Sequence, residues 1–205
     1  LSRRQQIAAL VFCFLPIVLG FILPLGLLLD HAMSGLSPRG FWSAVVNSFS
    51  LAVAAAFITC CLGMALAYGA RTDKGPTMRR LAQASALGYA VPGTVLAIGV
   101  MLVLGAIGEA SGGAVVLGGT IFALLCAYSV RFLSLAFGTL EAGFGRISPA
   151  MDMAARSLGT SRLATLGKIH IPLMRAPLLA SALLVFVDVM KELPATLILR
   201  PFDFD

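Results

Sequence analysis

Charge is what this sequence has least of. Only 12% of its 205 residues are Asp, Glu, Lys or Arg, against about 25% in a soluble domain, which excludes an ordinary water-facing surface. Acidic residues are the scarcer sign, nine against fifteen basic, for a net charge of +6. A nucleic-acid surface would gather that excess on one soluble face, whereas here it falls between apolar runs, so no nucleic-acid partner is expected. Histidine is limited to His31 and His170. They are far apart in sequence and neither has a second ligand-type residue at metal spacing, so no metal site is expected. The four cysteines, Cys13, Cys60, Cys61 and Cys126, lie in apolar runs without CxxC spacing. They read as small buried hydrophobes, not as disulfides or zinc ligands.

What is there is grease: 59% hydrophobic residues and a mean hydropathy of +0.97. This is the composition of an all-α, polytopic membrane helix bundle. A span needs about 20 mostly apolar residues, and five stretches qualify: Ile7–Leu29, Ser43–Ala70, Leu81–Leu104, Ala114–Phe137 and Ala176–Leu199. The first follows Arg3 and Arg4, and its length favours a retained helix over a cleaved signal. With no internal repeat, low-complexity tract or long linker, residues 1–205 are expected to form one domain.

Basic residues set the orientation. Arg3, Arg4, Arg71, Lys74, Arg79, Arg80, Arg146, Arg156, Arg162, Lys168 and Arg175 fall on one side, and only Arg39 and Arg200 on the other. The positive-inside rule makes the first side cytoplasmic. The N-terminus is then inside and the closing "RPFDFD" outside. An odd number of spans ending here leads to the expectation that the chain stops before a sixth helix.

One cytoplasmic stretch, Ser148 to Pro172, departs from the apolar pattern. Ser148-Pro149 reads as N-cap and N1, because the serine oxygen accepts a free backbone N–H and proline has none to leave unsatisfied. Asp152 suits the positive end of the helix dipole and is expected to pair with Arg156 on the outer face. Met151, Ala154, Ala155 and Leu158 form an apolar stripe at helical spacing. Gly159 stops the helix, Thr160 or Ser161 caps a second one, and Pro172 marks a break before the fifth span.

This stretch resembles the EAA loop of the permease subunits of binding-protein-dependent ABC importers: EAA, three residues, Gly, nine residues, then Ile, any residue, Leu and Pro. Ala154-Ala155, Gly159, Ile169 and Pro172 stand at the matching positions. Met153 replaces the glutamate and Ile171 the leucine. Asp152 offers a carboxylate one residue early, rotated by about 100°. "YAVPGTVLAIG", "YSVRF", "AARSLG" and "KELPATLILRPFDFD" further resemble ferric-iron permeases, in particular the second half of a two-half chain without its last helix.

The resemblance implies a transport subunit, not an enzyme, in the bacterial inner membrane. It implies as partners a cytoplasmic ABC ATPase dimer, a periplasmic or extracellular substrate-binding protein, a second permease half and the lipid bilayer. It also implies that Met151, Asp152, Ala154, Ala155, Leu158, Gly159, Ile169 and Pro172 serve coupling to the ATPase. Related permeases carry ferric iron, thiamine, phosphonates, sulfate or polyamines, and the subfamily resemblance alone points to ferric iron. ATP and Mg belong to the ATPase. Gly167-Lys168 has Arg162 where the first Walker glycine belongs and Ile169 where the hydroxyl belongs, so no cofactor is expected on this chain.

The pathway is sought where spans break their own rules. Asp188, Lys191 and Glu192 share a face by spacing, at depths where a charge costs about 2.5–3.5 kcal/mol. Pro194 is expected to kink the helix beside them. Pro92-Gly93 is a comparable break, and Arg131 either snorkels or pairs with an acid. A structural Asp–Lys–Glu cluster and ordinary kinks are the plainer readings. Gly63, Ala65, Gly99 and Gly105 are expected to serve helix packing. Two other functions stay open: a proton-coupled secondary transporter using Asp188, Lys191 and Glu192, and an intramembrane enzyme. A secondary transporter has no need of the capped loop, and no GxSxG elbow supports an enzyme.

Overall fold

The computed structural model describes residues 3–35, 38–73, 75–113 and 118–201. Lys74, the expected start of the fourth span at Ala114 and the tail Phe202–Asp205 lie outside them. All regular elements among the described residues are helical. Among the described residues four helical stretches are long and apolar enough to cross a membrane, or five if one pair bent by 78° counts as a single span.

Contacts divide the chain into two compact units, Leu1–Val45 and Val46–Asp205. The first holds α1 (Arg3–Ile17), a π-turn (Val18–Ile22) and α2 (Leu23–Gly35). The π-turn precedes Pro24, whose ring would press on the carbonyl four residues back in an α-helix. The wider turn relieves this, with Leu23 N–H donating to Val18 O. The large apolar side chains described in α1 and α2 are exposed, as lipid-facing groups are.

The second unit takes in most of α3 (Pro38–Thr72), then α4 (Pro76–Ala90), α5 (Gly93–Ala110), α6 (Ile121–Gly145) and α7 (Pro149–Ser157). A bent helical run follows: α8 (Arg162–Thr165), a π-turn (Leu166–His170) and α9 (Ile171–Leu173). The unit closes with α10 (Arg175–Met190) and α11 (Leu193–Leu199). The second π-turn again precedes a proline, Pro172, so that residue sits within a widened helix. The break expected there falls two residues later, at Met174.

α6 is the axis of this unit. Its residues Leu124, Tyr128, Phe132 and Ala136 join Ala52 and Ala55 of α3, Ala97 of α5, Val185 of α10 and Leu199 of α11 in one apolar core. A second core forms lower on α6, where Phe137, Leu140 and Phe144 meet Met64, Ala67 and Met174. Membrane helices approach closely where side chains are small, and Gly88 of α4 is the extreme case. A Cβ there would stand 2.0 Å from Val130 O on α6. Gly63 likewise lies against Ala136, but Gly99 and Gly105 have nothing within 4 Å and Ala65 is exposed. Among the described residues, Gly63 is therefore the one of the four expected packing positions that meets another helix closely.

Three expected spans are redrawn. The third divides at Val91-Pro92: proline disfavours the helical region for the residue before it, Val91 is extended, and α5 alone forms the candidate span. The fourth begins at Ile121, capped by the Thr120 hydroxyl, which accepts from Ala123 N–H, and runs on to Gly145. The fifth stops at Met190. Lys191 and Glu192 are non-helical, and Pro194 lies in the first turn of α11, so it opens a new helix instead of kinking an old one.

Candidate functional site

The loop around α7, expected to be cytoplasmic, is built as its local chemistry dictates. Ser148 Oγ accepts from Ala150 N–H at 3.3 Å, with Pro149 in the first turn. At the other end Gly159 takes φ +74, Thr160 N–H donates to Ala155 O at 3.0 Å and Gly159 N–H to Arg156 O at 2.9 Å. That is the double closure of a Schellman motif. Of the two capping candidates Ser161 is the one used, accepting from Ala164 N–H at 3.3 Å.

Asp152 departs from expectation. It turns inward and not to Arg156: its Oδ2 accepts from Arg71 Nε at 2.9 Å and lies 2.8 Å from Nη2. Its Oδ1 is 2.8 Å from His170 Nε2, off the line a hydrogen bond needs, and neither His170 ring nitrogen has a hydrogen-bond partner among the described residues. Arg71, at the end of α3, also donates to Phe144 O at 2.8 Å and Ile147 O at 3.0 Å. Phe144 O, in the last turn of α6, also accepts from Ile147 N–H at 3.0 Å, and Ile147 follows two residues after the helix ends. Tyr68, one turn earlier on α3, donates to Arg162 O at 2.8 Å. His170 is fully buried between the rings of Tyr68 and Phe144, at 5.7 and 5.4 Å. A cleft of about 420 Å³ beside Arg71 and Asp152 is lined also by Glu141, Met153 and Arg156.

The apolar stripe of α7 divides. Ala155 is buried at 4% exposure, whereas Met151, Ala154 and Leu158 face out, Leu158 at 85%. Met153, at the position of the missing glutamate, is also exposed. Ile169 is half-buried and Pro172 exposed.

A second cluster lies where two helices break. Arg131 of α6 donates from Nη1 to Val91 O at 2.7 Å and places Nε 3.2 Å from Glu192 Oε2. Both side chains are largely buried. A Cβ on Gly93 would meet Glu192 Oε1 at 2.2 Å, so this approach requires glycine. Tyr128 and Thr196 hydroxyls lie 2.6 Å apart, and Thr196 donates to Glu192 O. Gly93, Arg131 and Glu192 thus come together, with Pro92 and Pro194 flanking the two breaks. Asp188 and Lys191 do not join them. They pair with each other at 2.7 Å, with Lys191 exposed, because the helix ends before Glu192 and turns it the other way. Arg131 is paired, not snorkelling.

A model of the family described as "Binding-protein-dependent transport system inner membrane component" matches residues 61–200. The chain belongs to that family. This permease is 27% identical, over 98% of its length and 80% of the relative's, to a Salmonella typhimurium protein named as a 2-aminoethylphosphonate transport system permease. It is 30% identical over 80% of its length, and 31% of the relative's, to a Haemophilus influenzae protein named as an Fe(3+)-transport system permease. An Actinobacillus pleuropneumoniae protein named as a ferric transport system permease is 28% identical over 80% of this chain and 23% of its own. The family is that of ABC-importer permeases. The chain is therefore a multi-pass inner-membrane transport subunit and not an enzyme.

Arg71, His170, Tyr68 and Phe144 escape sequence reasoning. Arg71 reads there as a topology charge and His170 as an isolated histidine. The available signal is an acidic residue on the loop with an arginine at the near end of a neighbouring span.

Proposed function

We propose that this chain forms one half of an importer's translocation pathway, with its N-terminus cytoplasmic and the loop around α7 docked on a separate ABC ATPase dimer that binds ATP and Mg. An external binding protein delivers cargo from the opposite side, and a second permease half completes the path. The observation that carries this reading is the exposed face Met151, Ala154 and Leu158 on a helix whose Asp152 is held from behind. An amphipathic helix of this kind fits a groove in a partner. Ala155 is buried, so it supports the face without forming it.

The test is Ala154→Glu and Leu158→Arg in the permease co-assembled with its ATPase. Both are expected to abolish ATPase retention and transport while leaving membrane insertion intact. Full retention and transport would overturn the docking assignment.

For the path we take Arg131, Glu192, Pro92, Gly93 and Pro194, with the adjoining pair of half-buried Asp188 and exposed Lys191. Ferric iron is the first reading of the cargo, from the subfamily segments and the 30% identity to the Haemophilus protein. Aminoethylphosphonate is the second, from the relative matched over 98% of the chain. Calorimetric titration of the cognate binding protein with Fe(III) and with 2-aminoethylphosphonate decides between them.

A further inference from the structure

Asp152 is a single carboxylate engaged by two elements other than its own. Arg71 holds it from the end of α3, and His170, on the run that bends by 78° into α10, sets Nε2 2.8 Å from its Oδ1. The same guanidinium grips the end of α6 through Phe144 O and Ile147 O. Tyr68, on the same face of α3, fastens the start of the bent run at Arg162 O. Three pieces of chain, α3, the end of α6 and the bent run, therefore converge behind α7.

Ordinary loop stabilisation does not need this arrangement, because Ser148, Gly159 and Ser161 already close both ends of α7 and cap the next helix. Removing polar groups from water is costly unless they are paired. Here Arg71 and Asp152 are partly buried and His170 fully so, where a nine-residue helix would otherwise rock on its links. His170 adds shape to charge, since its ring is enclosed by Tyr68 and Phe144 and cannot yield to a displacement of Asp152 without moving them.

We propose that Arg71, Asp152 and His170 form the joint that passes movement of α7 to α3 and α10, acting as positioning residues for transport. This rests on the reading that the ATPase docks on the outer face of α7. Docking and transmission then become separable: the outer face binds, and the inner cluster relays.

The experiment uses the whole permease with its ATPase and binding protein in proteoliposomes, carrying Arg71→Gln or, as a milder change, His170→Gln. Cross-linking from Leu158→Cys to the ATPase reports docking. The ATP-dependent change in maleimide reactivity of Leu193→Cys, an exposed position on α11, reports transmission. Uptake per ATP is followed for Fe(III) and for 2-aminoethylphosphonate. The cross-link is expected to persist and the response at Leu193→Cys to be lost. Uptake per ATP of the transported probe should fall by about 5–150-fold, the span of ordinary coupling energies. The reversed pair, Arg71→Asp with Asp152→Arg, should recover part of the response. A normal response in both single variants overturns the joint. So does loss of the cross-link together with the response, since the cluster would then only fold the loop. Absence of the cross-link with Arg71 and His170 intact sinks the docking reading, and the joint with it.

Discussion

Arg131 and Glu192, 61 residues apart in sequence, bring their charges to 3.2 Å between Nε and Oε2 and so tie the break after α4 to the break after α10. Val91 O, on the first break, accepts a hydrogen bond from Nη1 of the same guanidinium.

Removing one partner strands the other. Arg131→Met leaves a buried carboxylate alone and is expected to destabilise the permease by about 3–5 kcal/mol. Arg131→Met with Glu192→Gln should cost clearly less than the sum of the single changes. Thermal unfolding of the four proteins in detergent measures the coupling.

Gly93→Ala tests the same cluster without touching a charge. The added Cβ meets Glu192 Oε1 at 2.2 Å, which should displace the carboxylate and cost about 1–3 kcal/mol. Transport is expected to fall more than protein abundance does. Wild-type uptake would separate the cluster from the path.

Gly88 and Gly105 form a contrasting pair. Gly88→Ala drives a Cβ to within 2.0 Å of a backbone oxygen, while Gly105 has nothing within 4 Å. The first should prevent α4 and α6 from seating. The second should be neutral or stabilising by about 0.5–1 kcal/mol from helix propensity. Melting temperatures of the two variants make the comparison.

Gly159→Ala has room for its methyl but not the backbone for it, at φ +74. A cost of about 1–2 kcal/mol is expected, confined to the loop. Faster amide exchange at Thr160, whose N–H closes the turn, would register it.

Orientation follows from eleven basic residues against two. A cysteine at Thr77 should resist membrane-impermeant thiol reagents in intact cells, and one at Ser111 should react. The opposite pattern inverts the topology.

Much of the loop could be read from its letters, because caps and stop signals are properties of neighbouring residues. Ser148-Pro149, Gly159 and Ser161 act within four positions of themselves, and each does what its chemistry requires. The partners of Asp152 are another matter. Spacing on one helix favours Arg156, but Arg71 and His170 win because α3 and the bent run pack against α7, and no local rule contains that packing. Glu192 shows the same limit: counted along a continuous helix it joins Asp188 and Lys191, yet the chain turns before Pro194 and delivers it to Arg131. The apolar runs announced the helices, but where the third and fifth spans divide depended on proline position more than on hydropathy.

With no side chain between Gly88 and the Val130 carbonyl, α4 and α6 touch backbone to backbone, a contact that can neither roll nor be cushioned by rotamer changes. The two helices therefore travel as one lever. Its lower end, at Phe144 and Ile147, is in the grip of Arg71, and its upper part carries Arg131 and the Pro92 turn. A push received near the loop around α7 would meet this backbone contact before it reached the broken helices.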